Sequence, residues 1–394
     1  MTAHCITNIG ELTTNTDLGR FTNAAVVIEG ERIIWVGAAA GAPACDTSFD
    51  AGGRALLPGW VDSHTHLVFA GERGAEFAAR MAGQKYSAGG IHNTVSATRH
   101  ASDAELRANL TRLRDESRAQ GTTWFETKTG YGLDTGDEER CARIAAEFTD
   151  DVTFLGAHVV PDGIGADEYV DLVCGDMLTA VRPYVRWIDV FCERAAFDAD
   201  QSRRVLEAGR AAGLGLRVHG NQLREGPGVA LAVALGAASV DHLNHLTAAD
   251  IDLLANSDTV ATFLPACDLS TREPFGPARE LLDRGATIAL ASNCNPGSSY
   301  TTSMPFCVAT AVLQMHLTVE EAVRAATWGG AAALRRHNGD GRIGCIAPGA
   351  RADLHLLDAP SITYLAYRPG VPLTHTVWIA GEPVVAQPAT SCHS

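Results

Sequence analysis

The chain has 394 residues, 46% of them hydrophobic and 20% charged, which supports a sizeable core in one or two domains and excludes wholesale disorder. Its formal net charge of −15 argues against nucleic acid as the main partner, because phosphate binding needs a basic footprint. Ten cysteines with no C-x-x-C and no regular spacing read as reduced thiols, which excludes a disulfide framework.

The first eight residues carry neither the basic nor the apolar stretch of a signal peptide. No apolar run approaches the ~20 residues of a membrane helix, so a soluble cytoplasmic protein is expected. Residues 24–37 read as a hairpin, two β-rich runs about a Glu-Gly turn. Residues 56–342 then alternate strands with alanine-rich helices. Strands are expected over 57–62, 122–127, 152–157, 187–192, 215–218, 238–240, 259–264 and 287–291, and helices over 138–148, 199–212 and 225–236, among others. Eight β/α units in about 250 residues suit an α/β fold of the (β/α)₈ TIM-barrel type. A doubly wound sheet is the rival, but no G-x-G-x-x-G follows the first strand. Residues 352–358 and 376–385 are β-rich again. The economical division is a small composite β-sandwich domain from residues 1–55 and 343–394, with the barrel at 56–342.

The first barrel strand runs into His64-Thr65-His66. In a strand, side chains at i and i+2 share a face, so both imidazoles leave together, spaced for one metal ion. H-x-H pairs are common by chance. This one ends a buried-looking strand, and barrel enzymes keep their chemistry at the C-terminal strand ends. Strand two ends at Glu126 and Lys128, before Gly130, Tyr131 and Gly132. Strand three gives His158, strand four Glu193, strand five His219 and Gln222, and strand six Asp241 and His242. Strand seven offers little beyond Pro265. Strand eight gives Asn293, followed by Asn295, Gly297 and Ser298.

Singly, each residue has a bland meaning. A lone histidine is usually structural, residues 295–298 make a turn, and Glu126 with Lys128 makes an ion pair at the barrel mouth. Arg73 by itself reads as a surface charge paired with Glu72 or Glu76. Together they read differently, because chance does not readily place histidines at the same end of strands one, three, five and six. His64, His66 and His219 could supply three neutral nitrogens, the open set of a catalytic metal. A water there can have a pKa near ~7 and act as nucleophile. His242 would stand beside it as proton shuttle, or orient a ligand. Arg73 offers a fork for a carboxylate.

Residues 57–73, 128–133, 155–158, 219–223, 241–242 and 295–299, with the return at 349–354, resemble the amidohydrolase superfamily and, within it, its imidazolonepropionase branch. The H-x-H is shared across the superfamily. Ala70-Gly71-Glu72-Arg73 and Lys128-Thr129-Gly130-Tyr131-Gly132 are specific to the branch. The resemblance implies a homodimeric, metal-dependent hydrolase of histidine degradation, opening the ring of 4-imidazolone-5-propanoate to give N-formimidoyl-L-glutamate. It implies that His64, His66 and His219 bind one zinc or iron ion per subunit. Arg73, Tyr131, His158, Gln222 and Ser298 would contact a small substrate carrying a carboxylate. Asn295 and Gly297 would contact substrate or product, and His242 would assist hydrolysis. Neither nucleic acid nor membrane is implied.

One position departs from the family pattern. Its last strand ends in Asp, a metal ligand and proton acceptor, where this chain has Asn293. An amide oxygen can still coordinate, but it cannot take a proton, and losing a general base costs ~10²–10⁴ in rate. Three explanations stay open: an inactivated variant, an enzyme using His242 as base, or a relative with altered activity. Another cyclic-amide hydrolase or aminohydrolase of the superfamily, and a non-catalytic binding homologue, are the alternatives. His92 also stands where the family usually has arginine.

Overall fold

A computed structural model describes residues 2–83, 90–194 and 196–386. The chain opens with β1 (Ala3–Thr13), β2 (Arg20–Glu29), β3 (Arg32–Ala38), β4 (Thr47–Asp50) and β5 (Ala55–Pro58). The expected hairpin is β2 and β3, turning through Gly30 and Glu31. The barrel course follows as β6 (Trp60–Asp62), β7 (Thr122–Phe125), β8 (Thr127–Lys128), β9 (Val152–Ala157), β10 (Trp187–Cys192), β11 (Gly215–Gly220), β12 (Ser239–His242), β13 (Val260–Phe263) and β14 (Ile288–Leu290). The chain returns through β15 (Leu354–Leu357), β16 (Thr374–Ile379) and β17 (Glu382–Ala386).

Strands from both ends share one continuous eight-stranded sheet, ordered β17-β16-β15-β5-β1-β2-β3, with β4 also on β1. The sequence reading expects a sandwich. A single sheet forms because β1 serves two parallel partners: His4–Thr7 pair with β4, and Glu11 and Leu12 pair with β5. The register against β2 shifts between Ile6 and Ile9, and Asn8 lies there with φ 53°, a conformation asparagine tolerates better than most residues. Ile6, Ile9, Leu12, Val26, Leu354, Leu356 and Trp378 form an apolar core on this sheet.

Seven parallel strands run β8-β9-β10-β11-β12-β13-β14, and β6 pairs with β7. β7 and β8 are one course of chain interrupted at Glu126. The first and last strands meet beyond their ends. Thr65 bridges Asn293 in parallel register, the Asn293 amide donates to the His64 carbonyl at 3.0 Å, and Ser292 N donates to the Asp62 carboxylate at 3.0 Å. The result is a TIM-like barrel. Its helices follow amphipathic logic. Ala199–Ala211, for instance, starts at a capping box of Asp198 and Gln201 and turns Val205, Leu206 and Gly209 inward. Among the described residues no helix is long and apolar enough to cross a membrane.

The strand expected over 57–62 is two strands. β5 runs to Pro58 within the terminal sheet, pairing with β1 and β15, and β6 begins the barrel at Trp60. The apolar run is continuous, so periodicity alone carries no sign of the change of partner. Gly59 makes the transfer. A Cβ there would lie 2.2 Å from Thr123 Cγ2 and 2.3 Å from Thr123 Oγ1. Gly59→Ala should therefore overpack the junction and destabilise the fold by ~1–3 kcal/mol, read as a lower urea midpoint. An unchanged midpoint would contradict this packing.

Candidate active site

His64 and His66 leave the end of β6 fully buried. His64 Nδ1 lies 2.7 Å from Asp241 Oδ2. The same carboxylate oxygen accepts from Arg217 Nη2 at 3.1 Å, and Arg217 also donates to the Ser63 carbonyl at 2.7 Å. His219, at the end of β11, repeats the pattern. Its Nδ1 is 3.0 Å from Asp189 Oδ1. The other Asp189 oxygen is 3.0 Å from Lys128 Nζ, which lies 2.9 Å from Glu126 Oε1. An imidazole whose Nδ1 donates to a carboxylate presents a lone pair at Nε2. The tautomers follow from these networks.

The Nε2 atoms of His64 and His219 are both buried without a hydrogen-bond partner among the described residues. Ligand nitrogens of His64, His219 and His242 lie within 4.8 Å of one another. Asn293 Oδ1 is likewise buried without a partner, while its Nδ2 donates to Ser298 Oγ at 2.9 Å. Buried polar atoms are nearly always satisfied, so this concentration of open nitrogen and oxygen acceptors fits a divalent metal. His66 sits beside the triplet, its ring centroid 5.3 Å from His64 and 5.6 Å from His219. It is stacked on His158, at 5.5 Å and 22°.

Burial, and then the charges of Lys128 and neighbouring imidazoles, push His64 well below the ordinary histidine range. His66 and His242 are pushed the same way, first by burial, and His158 falls to about 4. Burial alone would raise Asp189 and Asp241. His219 and Lys128 hold Asp189 below the carboxylate range, and Arg217 and Lys128 do so for Asp241. Neutral imidazoles at His64, His66 and His242 beside ionised carboxylates suit a metal ligand set.

One cavity opens above the cluster. His66, Arg73, Tyr131, His158, His219, Gln222, His242, Asn293, Asn295 and Ser298 line it, with Ile91, Val159, Phe191 and Ala196. His64 lies deeper. Gly297 lies under Arg73, where a Cβ would sit 1.9 Å from Arg73 Nη1. His158 Nδ1 is 3.0 Å from the Gly130 carbonyl. Gly130 has φ 109°, and a Cβ there would meet the Leu155 carbonyl at 2.7 Å. Glu193 Oε1 accepts from the Gln222 and Leu223 amides at 2.8 and 3.1 Å, fixing the end of β11. Asn295 Oδ1 accepts from the Gly297 amide at 2.9 Å. The strand ends carry left-handed backbone at His242 (φ 85°) and Asn293 (φ 70°), conformations that cost on the order of 1–3 kcal/mol and cluster at functional sites.

The Amidohydrolase family model matches residues 200–384. The imidazolonepropionase of Saccharopolyspora erythraea is 68% identical over 98% of this chain and 100% of its own length. The chain belongs to the imidazolonepropionase family. Imidazolonepropionases of Arthrobacter sp. (65% identical, 95% of this chain and 98% of that one) and Streptomyces coelicolor (59%, 95% and 97%) agree. Among solved structures, a zinc-bound adenosine deaminase from Xanthomonas campestris has a TM-score of 0.73 at 21% identity, covering 98% of this chain and 93% of its own. A zinc complex of atrazine chlorohydrolase from Arthrobacter aurescens scores 0.71 at 18% identity, covering 98% and 97%. These two share the fold.

Within this family site, two sequence readings change. Arg73 has the expected partner, with Nε and Nη2 donating to Glu76 at 2.8 and 2.6 Å, but it is no surface charge. It is 8% exposed and faces the cavity. Lys128 and Glu126 are paired, but inside the barrel and fully buried. Asp189 and Arg217 were not singled out from sequence. The available signal was a lone charge in the middle of an otherwise apolar strand. His92 is exposed on the helix Ile91–His100, and nothing in the structure explains its replacement of arginine.

His64, His66, His158 and His242 set a pH dependence. Their folded pKa values lie below the unfolded value near ~6.5, so the unfolded chain binds protons that the folded chain excludes. Stability is full above about pH 6.5 and falls as pH drops, each such histidine contributing up to ~1.4 kcal/mol per pH unit. The His158 contribution levels off below about 4. Burial raises Asp62 to about 7 and Asp353 to about 6, which opposes this trend, so the histidine part is read by difference: the urea midpoint that chelator-treated protein loses between pH 7.5 and pH 5, relative to His158→Gln, should be positive. Equal changes in the two proteins would contradict a neutral His158.

Proposed function

We propose that the chain hydrolyses 4-imidazolone-5-propanoate to N-formimidoyl-L-glutamate. The observation that supports this reading is a buried arginine, Arg73, on the same cavity as His66, His219 and His242, in a chain 68% identical to an imidazolonepropionase. His64, His66, His219 and the amide oxygen of Asn293 would hold one zinc or iron ion per subunit. That ion, when bound, supplies a Lewis-acid centre that lowers the pKa of a water toward ~7.

The chain's own residues do the rest. Arg73 pairs with the propionate. Tyr131, His158 and Gln222 face the planar ring, and Asn295, Gly297 and Ser298 form the wall beside the last strand. Asn293 cannot accept a proton, so His242, neutral and beside the cluster, takes it from the attacking water. The water oxygen bonds to the ring carbonyl carbon, the C–N bond breaks, and the proton passes to the departing nitrogen. A purine or pyrimidine aminohydrolase would leave Arg73 without a side-chain carboxylate to bind. Of the described residues, we read 2–58 with 343–386 as a small β domain, supported by a separate apolar core that includes Leu56, and 60–342 as the catalytic barrel, the chain crossing between them at Gly59. A cytoplasmic homodimer is the expected form.

The test is turnover of 4-imidazolone-5-propanoate by protein loaded with zinc or ferrous iron. His242→Gln should lower kcat by ~10²–10⁴ at little cost in KM, and Asn293→Asp should raise kcat. No turnover by either the parent chain or Asn293→Asp would overturn the reading.

A further inference from the structure

Arginine presents five N–H donors in a planar fork. In this chain Arg73 has already committed two. Glu76 lies one helical turn along Gly74–Met81 and takes Nε and Nη2 with its two carboxylate oxygens, at 2.8 and 2.6 Å. This is the paired, parallel geometry that fixes a guanidinium in orientation as well as place. The side-on edge is therefore filled from within the protein. Among the described residues the end-on edge, Nη1 with the second N–H of Nη2, has no hydrogen-bond partner and is left for a ligand.

The surroundings hold that orientation. A Cβ on Gly297 would lie 1.9 Å from Arg73 Nη1 and 2.4 Å from Cζ. On Gly90 it would lie 2.3 Å from Arg73 Nη2 and 2.1 Å from Glu76 Oε2. Two glycine backbones thus close on the ion pair where side chains would displace it. Arg80, on the same helix as Glu76, donates from Nη1 to the Gly297 carbonyl at 3.0 Å, tying the loop after the last strand to the loop after the first. The Arg73 side chain is left 5% exposed, and it lines the cavity.

We infer that Glu76 is a positioning residue for substrate selection: it holds Arg73 so that only the end-on edge meets the substrate carboxylate, at a fixed reach from the histidine cluster. This rests on the reading of Arg73 as the carboxylate anchor. A flexible arginine would follow carboxylates on arms of different length. A clamped one favours the single arm length that also seats the ring over the cluster. Glu76 brings a negative charge near an incoming anion, so it opposes binding by simple electrostatics. Positioning and repulsion therefore predict opposite signs when it is removed.

The test measures kcat and KM for Glu76→Ala, Glu76→Gln and Arg73→Lys, with the propanoate substrate and its analogue one methylene shorter. Glu76→Ala should raise KM for the propanoate about tenfold or more, leave kcat within a few-fold, and narrow the preference over the shorter acid. Glu76→Gln, which keeps an acceptor for Nε, should restore part of the loss. An unchanged or lower KM in Glu76→Ala would overturn the inference and show Glu76 to be a competitor for Arg73. Should Glu76→Ala fail to fold, Glu76→Gln decides, since a KM at the parent value overturns the inference equally. If Arg73→Lys leaves KM unaltered, the carboxylate anchor itself is wrong. If Arg73→Lys raises KM and neither Glu76 variant does, the anchor stands and the positioning role falls.

Discussion

Two buried carboxylates, Asp241 and Asp189, decide what the centre of this barrel can do. An imidazole binds a cation only through a lone pair, and each carboxylate fixes which nitrogen carries it by accepting from Nδ1 of His64 or His219. Burying a carboxylate costs several kcal/mol unless it is paired. Arg217 pairs with Asp241 and Lys128 with Asp189. Lys128 in turn needs Glu126, whose other oxygen accepts from the Thr65 amide at 3.0 Å. Each member compensates the next, so the polar floor forms as a unit. Its three acidic and two basic side chains leave it one positive charge short of balance, which suits a cation above.

The barrel exists around this floor. β6, β8, β10, β11 and β12 each deliver or flank a member, and closure between the first and last strands places Asn293 beside His64. Left-handed backbone at His242 and Asn293 aims their side chains into the same space. That strain is tolerable because the strands beneath are packed on all sides by an apolar core. The cavity wall is completed one layer further out, on loops. Arg73 and Gly297 come from opposite ends of the barrel course and meet only in the closed fold.

Much of this was legible in the sequence. The H-x-H was readable because strand periodicity puts His64 and His66 on one face, and histidines at corresponding strand ends reinforced it. The barrel strands were readable as short apolar runs between helical stretches. Other features depend on contacts distant in sequence. The changeover at Gly59 is set by Thr123 and by strands from the far terminus. The Arg73–Glu76 pair was visible as i, i+3 spacing, but its burial depends on Gly90 and Gly297. Asp189 and Arg217 looked like isolated polar interruptions, since their partners, His219, Lys128 and Asp241, lie on other strands. His66 illustrates both sides: spacing puts it beside His64, with ring centroids 5.3 Å apart, while its stacking on His158 joins it to another strand that periodicity does not reveal.

The claim that pinned tautomers create the metal site is tested most directly by zinc affinity, measured by competition with a chromophoric chelator, in Asp241→Asn and Asp189→Asn beside the parent chain. Loss of the carboxylate should weaken zinc binding by ~10–100-fold in each variant, with the far-ultraviolet circular dichroism unchanged. Affinity equal to the parent in both folded variants would show that the carboxylates serve packing alone, and would contradict the account.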